Sequence, residues 1–223
     1  MNKINLPNVT LVAVAGVRIQ EAYNAIKHSM KGITFGEVKL LTPKNAETEN
    51  TEVQIIKLDK ELDYVEYNRF ILYDLKDYIN TEFVLLVQDD GYVVNPTSWL
   101  DDFYNYDYIG AIWPVPDDSD KISYRDPFGN LIRVGNGGFS FRSKKLLELP
   151  SKLNLDWKQY YGYWNEDGFL TCHNRHLLEK EGIKFASTDI AKYFSHECPV
   201  EEIKDIENPF GFHGKNSKYY VNN

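Results

Sequence analysis

The sequence predicts an α/β fold with a mixed, mainly parallel central sheet flanked by helices. Short apolar runs of strand length alternate, through the first half of the chain, with stretches whose apolar residues recur every three or four positions. That order yields parallel strands covered on both faces. The 223 residues are 43% hydrophobic and 14% aromatic and carry no repeat or low-complexity tract, so one domain spanning 1–223 is expected.

The segment VTLVAVAG at 9–16 reads as a buried strand closed by a glycine. From Arg18 to Met30, Ile19, Ala22, Tyr23, Ile26 and Met30 share one helical face. EVKLL at 37–41 is a second strand ending at Pro43, the polar KNAETEN is a solvated connection, and VQIIKL at 53–58 is a third strand. A longer helix over 64–79, striped by Ile71, Leu75 and Ile79 and broadened by Phe70 and Leu72, leads to a fourth strand, EFVLLVQ at 82–88. Later come strands at 108–113 and 137–142, a helix from Ser143, a helix over about 166–181, and a tail with FGFHG at 210–214. The loop 116–130 is long enough for a lid or acceptor loop, and it also reads as plain surface.

Charge and composition exclude several classes of partner. The net charge is −8, with no dense Lys or Arg run, which argues against nucleic acid. No apolar run approaches the roughly 20 residues of a membrane span. The start MNKINLPN lacks the pattern of a signal peptide, so a cytoplasmic location is expected and any membrane contact is peripheral. Cys172 and Cys198 are too few and too far apart for a disulfide scaffold, so free thiols are expected.

Parallel sheets gather ligands at the carboxyl ends of their strands, which directs attention to Gln88-Asp89-Asp90. Adjacent carboxylates at a strand end repel and call for a cation, and a hard divalent ion is the simplest one; Asp-Asp-Gly also suits a plain chain reversal. Gly135, Gly137 and Gly138 in GNGGFSFRS let backbone approach a ligand, or mark a bulge entering a strand. Glu166 and Asp167 open a helix, where acids serve as caps or as carriers of a hydroxyl proton. Ahead of them the aromatic run Trp157, Tyr160, Tyr161, Tyr163 and Trp164 suits either packing or stacking on a sugar acceptor. His213 in FGFHG reads as a ligand or as an ordinary hydrogen-bonded histidine. Cys172, His173 and His176 lack a fourth zinc ligand at the usual spacing, and Cys172 and His173 are expected to face the core.

In this order, LLVQDDGYVVNP, VGNGGFSFRS, NEDGFLTC and FGFHG resemble the GT-A fold of nucleotide-sugar glycosyltransferases, and more closely a family of small bacterial and viral GT-A-like proteins. The resemblance covers roughly residues 8–214 and implies a Rossmann-like GT-A domain. It implies transfer of a sugar from a nucleoside diphosphate sugar to a glycan or lipid-linked acceptor, with inversion and with Mn²⁺ or Mg²⁺. The family's aspartate-x-aspartate element maps onto Gln88-Asp89-Asp90, where an amide replaces the first acid. Asp90 is then the implied metal ligand, and Gln88 and Asp89 contact the donor. Gly137 and Gly138 carry over as backbone contacts to the donor sugar, Asp167 as the catalytic base beside Glu166, and His213 as the ligand that completes the metal site. The nucleotide end is expected at Ala15, Gly16 and Val17, with Asn68 and Arg69, and the acceptor at Tyr163 and Trp164. Two other readings use the same residues. One is a non-catalytic carbohydrate-binding protein on this fold, for which Gln88 and the aromatic run are the argument. The other is a sugar nucleotidyltransferase, for which VAVAGVRIQEAY supplies only one glycine and one arginine.

Overall fold

The computed structural model describes residues 3–43, 52–116, 124–157 and 165–220. The expected connection at 44–50, part of the 116–130 loop, and the acceptor candidates Tyr163 and Trp164 lie outside the described residues. Strands β1 (Ile4–Val14), β2 (Ile33–Thr42), β3 (Gln54–Lys57) and β4 (Phe83–Val87) run parallel in the spatial order β3-β2-β1-β4. Helix α1 (Ile19–Ser29) connects β1 to β2, and α2 (Tyr64–Tyr73) leads from β3 toward β4. The chain then turns through residues 88–90 into β5 (Gly91–Val93), which leaves the main sheet. Strands β6 (Tyr108–Ile109) and β7 (Phe139–Ser143) return to it, β7 antiparallel to β4 and β6 antiparallel to β7. The main sheet is thus mixed and mainly parallel.

Alternation along the central strands supplies both faces. Leu85 and Val87 of β4 pack with Ile26, Phe139 and Phe141 on one side, while Val84 and Leu86 meet Phe70, Ile71 and Leu75 of the α2 region on the other. α3 (Lys144–Lys152) follows β7 at once, capped by the Ser143 side chain, which accepts from the Leu146 N–H. After α4 (Glu166–Gly168), α5 (Arg175–Lys180) and α6 (Thr188–Phe194), strands β8 (Ser195–His196) and β9 (Gly211–His213) join β5 in a second sheet of order β5-β9-β8. Among the described residues no helix is long and apolar enough to cross a membrane.

The boundaries differ from the expectations for physical reasons. β1 begins at Ile4, because Ile4–Leu6 pair with Ile33–Phe35 ahead of a register shift that Pro7 and Asn8 occupy, hiding the strand's period. The 108–113 strand shortens to two residues, since the chain beyond Ile109 pairs with 133–135 through single bridges: Trp113 N–H donates to Arg133 O and Gly135 N–H to Ala111 O. The helix expected over 166–181 breaks into α4, a π-helical turn Phe169–His173 and α5. The Thr171 hydroxyl in that turn donates to the Asp167 carbonyl oxygen at 2.7 Å. Such turns are common at functional sites. The second sheet and α6 are not among the expected elements, because strands of two or three residues carry no readable alternation.

Candidate active site

A cavity of about 620 Å³ opens at the carboxyl ends of β1 and β4. The antiparallel register of β7 on β4 sets Phe139 beside Val87, so the glycine loop before β7 and the acidic turn after β4 share this edge. Ala15, Gly16 and Val17, at the end of β1, line one side together with Asn68 of α2. Asn68 is also a strut: its Nδ2 donates to Tyr64 O, and its Oδ1 accepts the Glu166 N–H, each at 2.8 Å. Arg69, expected beside Asn68, is placed elsewhere. It does not line the cavity, and its guanidinium, half exposed, sits 3.8 Å from Glu66, because one helical position turns it away from the face that carries Asn68.

Gln88 and Gly91 close a tight turn by exchanging backbone hydrogen bonds, with Asp89 and Asp90 at its tip. Asp89 lines the cavity and is ion-paired with Arg18, a residue held at φ 48°, ψ 47° before α1. Non-glycine residues seldom adopt that left-handed conformation. Asp90 is not among the lining residues and turns to His213, with Oδ1 3.4 Å from Nε2. Burial alone would raise its carboxyl, but His213 and Arg18 hold it below the usual range.

His213 gathers the second set of contacts. Pairing of β9 with β5 places it opposite Gly91. Its Nε2 stands 3.2 Å from Gln88 Oε1, and its Nδ1 stands 3.0 Å from Glu197 Oε1. Gln88 in turn donates Nε2 to the Tyr67 hydroxyl at 2.7 Å. Burial pushes the imidazole down, yet Asp90 and Glu197 outweigh it and raise the group to about 9. The ring lies on the glycine loop: a Cβ on Gly138 would stand 2.1 Å from Nε2.

On the other side of the loop, Gly137 N–H donates to Asp167 Oδ2 at 3.0 Å, and Gly168 N–H donates to Oδ1 at 2.6 Å. Burial and the neighbouring Glu166 charge nonetheless raise Asp167 to about 6. Glu166 has a different position from Asp167. Both its oxygens accept from buried Arg142, at 2.8 and 2.9 Å, so it is a fixed anion and not a free proton acceptor. A Cβ on Gly137 would meet Glu166 Oε1 at 2.0 Å. Cys172 is buried as expected, clustered with Trp113 and Ile132, and also contributes to the cavity wall, whereas His173 is only half-buried on that wall. Burial lowers His173 to about 4 and pushes the Cys172 thiol up to about 12, so both are neutral near pH 7. Both cysteines are free thiols.

The structure therefore brings together, around one cavity, Ala15, Gly16, Val17, Asn68, Gln88 and Asp89 with Gly137, Gly138, Glu166, Asp167 and His213. It adds residues that sequence reading passed over. Arg142 had a signal, a cation in the apolar strand FSFRS that needs a buried partner. Asn136, Glu197, Tyr67 and the stacked pair Trp113 and Tyr124 had none.

Comparison with solved structures places the fold among those of GT-A-like glycosyltransferases. One neighbour is a glycosyltransferase involved in the glycosylation of the major capsid of PBCV-1, with 13% identity over 95% of this chain and 94% of that chain and a TM-score of 0.50. Another is an active-site mutant of LgtC, with 13% identity over 93% of this chain and 88% of that one and a TM-score of 0.55. Within that fold, the chain belongs to the DUF5672 family, described as a protein of unknown function, which it matches over residues 52–213. A search of curated proteins gave no match.

Proposed function

We propose that this chain is a glycosyltransferase, a single GT-A domain over 1–223 acting in the cytoplasm. It would move one sugar from a nucleoside diphosphate sugar to a hydroxyl of a glycan or lipid-linked acceptor, with inversion and with Mn²⁺ or Mg²⁺. One observation carries the reading. Gly137 holds the Asp167 carboxylate and the adjacent Gly138 carries the His213 ring, so a proton acceptor and the Asp90, Gln88 and His213 cluster flank one loop.

The side chains suit a hard divalent ion. Two oxygens, Asp90 Oδ1 and Gln88 Oε1, stand 3.4 and 3.2 Å from His213 Nε2, spacings at which a divalent ion could replace the Nε2 hydrogen and share all three atoms. Among the described residues no three His, Cys, Asp or Glu side chains form a cage by themselves, so diphosphate oxygens and water would complete the shell. A bound cation would neutralise charge on the departing diphosphate.

The chain's own groups do the rest. Asp167, raised to about 6, is ionised at neutral pH yet still basic enough to take the acceptor hydroxyl proton. As the acceptor oxygen bonds to the anomeric carbon, the bond to diphosphate breaks on the opposite face, which inverts that carbon. Arg142 and Glu166 hold the start of α4 in place, and Asp89 with Arg18 borders the nucleotide side.

Thermal stability against a panel of nucleoside diphosphates and their sugars, with Mn²⁺, Mg²⁺ or chelator, tests the reading. Ligand at about 100 times its dissociation constant adds about 2.7 kcal/mol, or roughly 5–10 °C for a chain of this size. The expected result is a metal-dependent shift with one nucleotide that Asp90→Asn abolishes. Glycan binding with no shift for any nucleotide would support the carbohydrate-binding alternative instead.

A further inference from the structure

We propose that Glu197 is a positioning residue: it accepts a hydrogen bond from the Nδ1–H of His213, so that a cation bound beside Asp90 and Gln88 would replace the Nε2 hydrogen and meet that lone pair while Nδ1 keeps its own. The inference rests on the cation reading above. Strand register delivers Glu197 to this place. β8 and β9 run parallel with His196 beside Phe212, so the next residue of each strand, Glu197 and His213, falls side by side as the strands end.

The direction of each hydrogen bond follows from chemistry. The Gly138 N–H donates to Asn136 Oδ1 at 3.1 Å, which fixes that amide and turns its nitrogen toward Glu197 Oε1 at 2.7 Å. The same Glu197 oxygen lies 3.0 Å from His213 Nδ1. Asn136 Nδ2 also stands 3.1 Å from Nδ1, but its shorter bond goes to Glu197, and with carboxylates on both sides of the ring the favoured arrangement has Nδ1 protonated and Glu197 accepting from it. Across the ring, the bond from Gln88 Nε2 to Tyr67 leaves Gln88 Oε1 facing Nε2. A chain of oriented groups therefore runs from the glycine loop through Asn136, Glu197 and His213 to Gln88 and Tyr67. Histidines that bind metals commonly give their other N–H to a carboxylate, which fixes the tautomer and strengthens the donor nitrogen.

Titration of Mn²⁺ into the full chain, alone and with UDP, GDP, ADP, CDP or dTDP, followed by the electron paramagnetic resonance signal of free Mn²⁺, tests this. Glu197→Gln should weaken Mn²⁺ binding about 10–100-fold while the variant still folds, as its far-ultraviolet circular dichroism reads. Equal binding by native and variant chains would overturn the positioning role and leave the cation reading standing. No Mn²⁺ binding by the native chain under any of these conditions would overturn both. A second measurement needs no variant. With Mg²⁺ and the nucleotide that binds, ¹⁵N resonances of His213 should show Nδ1 protonated and Nε2 bare of hydrogen, and the opposite tautomer would sink the proposal.

Discussion

Gln88 donates its amide nitrogen to the Tyr67 hydroxyl at 2.7 Å, and this bond decides which end of the amide meets His213. Without the hydroxyl, the amide is free to turn its NH₂ toward the imidazole. A net hydrogen bond is worth about 0.5–1.5 kcal/mol, so Tyr67→Phe should weaken Mn²⁺ binding about two- to tenfold in a calorimetric titration with nucleotide present. Unchanged affinity would mean that something other than Tyr67 orients Gln88.

Asp167 must be ionised to accept a proton, and its carboxyl is raised to about 6. Transfer should therefore be level above that pH and fall about tenfold per unit as pH drops below it, as the base fills with protons. Asp167→Asn should lower turnover by about 10²–10⁴ and remove this acid limb, while donor binding stays near the native value. The measurement is release of nucleoside diphosphate against pH for both chains.

Arg142 is fully buried, and Glu166 is its carboxylate partner. Removing one member of a buried pair leaves the other charged and unsolvated, at a cost of about 3–5 kcal/mol. Glu166→Ala should lose about that much in urea unfolding, with Arg142 stranded against the Gly137 carbonyl. A loss under 1 kcal/mol would show that water reaches Arg142.

The His213 ring leaves no room for a side chain on Gly138, where a Cβ would stand 2.1 Å from Nε2. Gly138→Ala should push the ring from Gln88 and Asp90 and abolish the Mn²⁺-dependent part of the thermal shift. Nucleotide binding without metal should survive, because Ala15, Gly16 and Val17 lie on another wall. A native metal response would place His213 outside the cation site.

The parallel half of the fold was legible because β1 and β4 are long apolar runs and α1 and α2 keep helical periods. Legibility ended where contacts become long-range. Gln88, Asp89, Gly137, Gly138, Asp167 and His213 could be singled out by motif, and all reach the cavity wall. Arg69 could not be told from Asn68, because a single helical step separates a wall position from a surface one. Glu197 stood in no motif at all: its place beside His213 comes from the register of two short strands, which leaves no period in the sequence. Likewise, the glycine spacing suggested close approach but not its object. Gly137 makes room for Glu166 and Gly138 for His213, both from distant parts of the chain.

The pairing of β5 with β9 imposes an order of assembly. The cavity-lining residues Ala15 to Val17 and Asn68 arrive early in synthesis, whereas His213 arrives with the last strand described and must close a very long loop to reach Gly91. Contacts of such separation form late. The ring that the proposed cation site needs is thus the group whose placement depends on the greatest length of chain, held at the far end of the sequence from the strand whose end it completes.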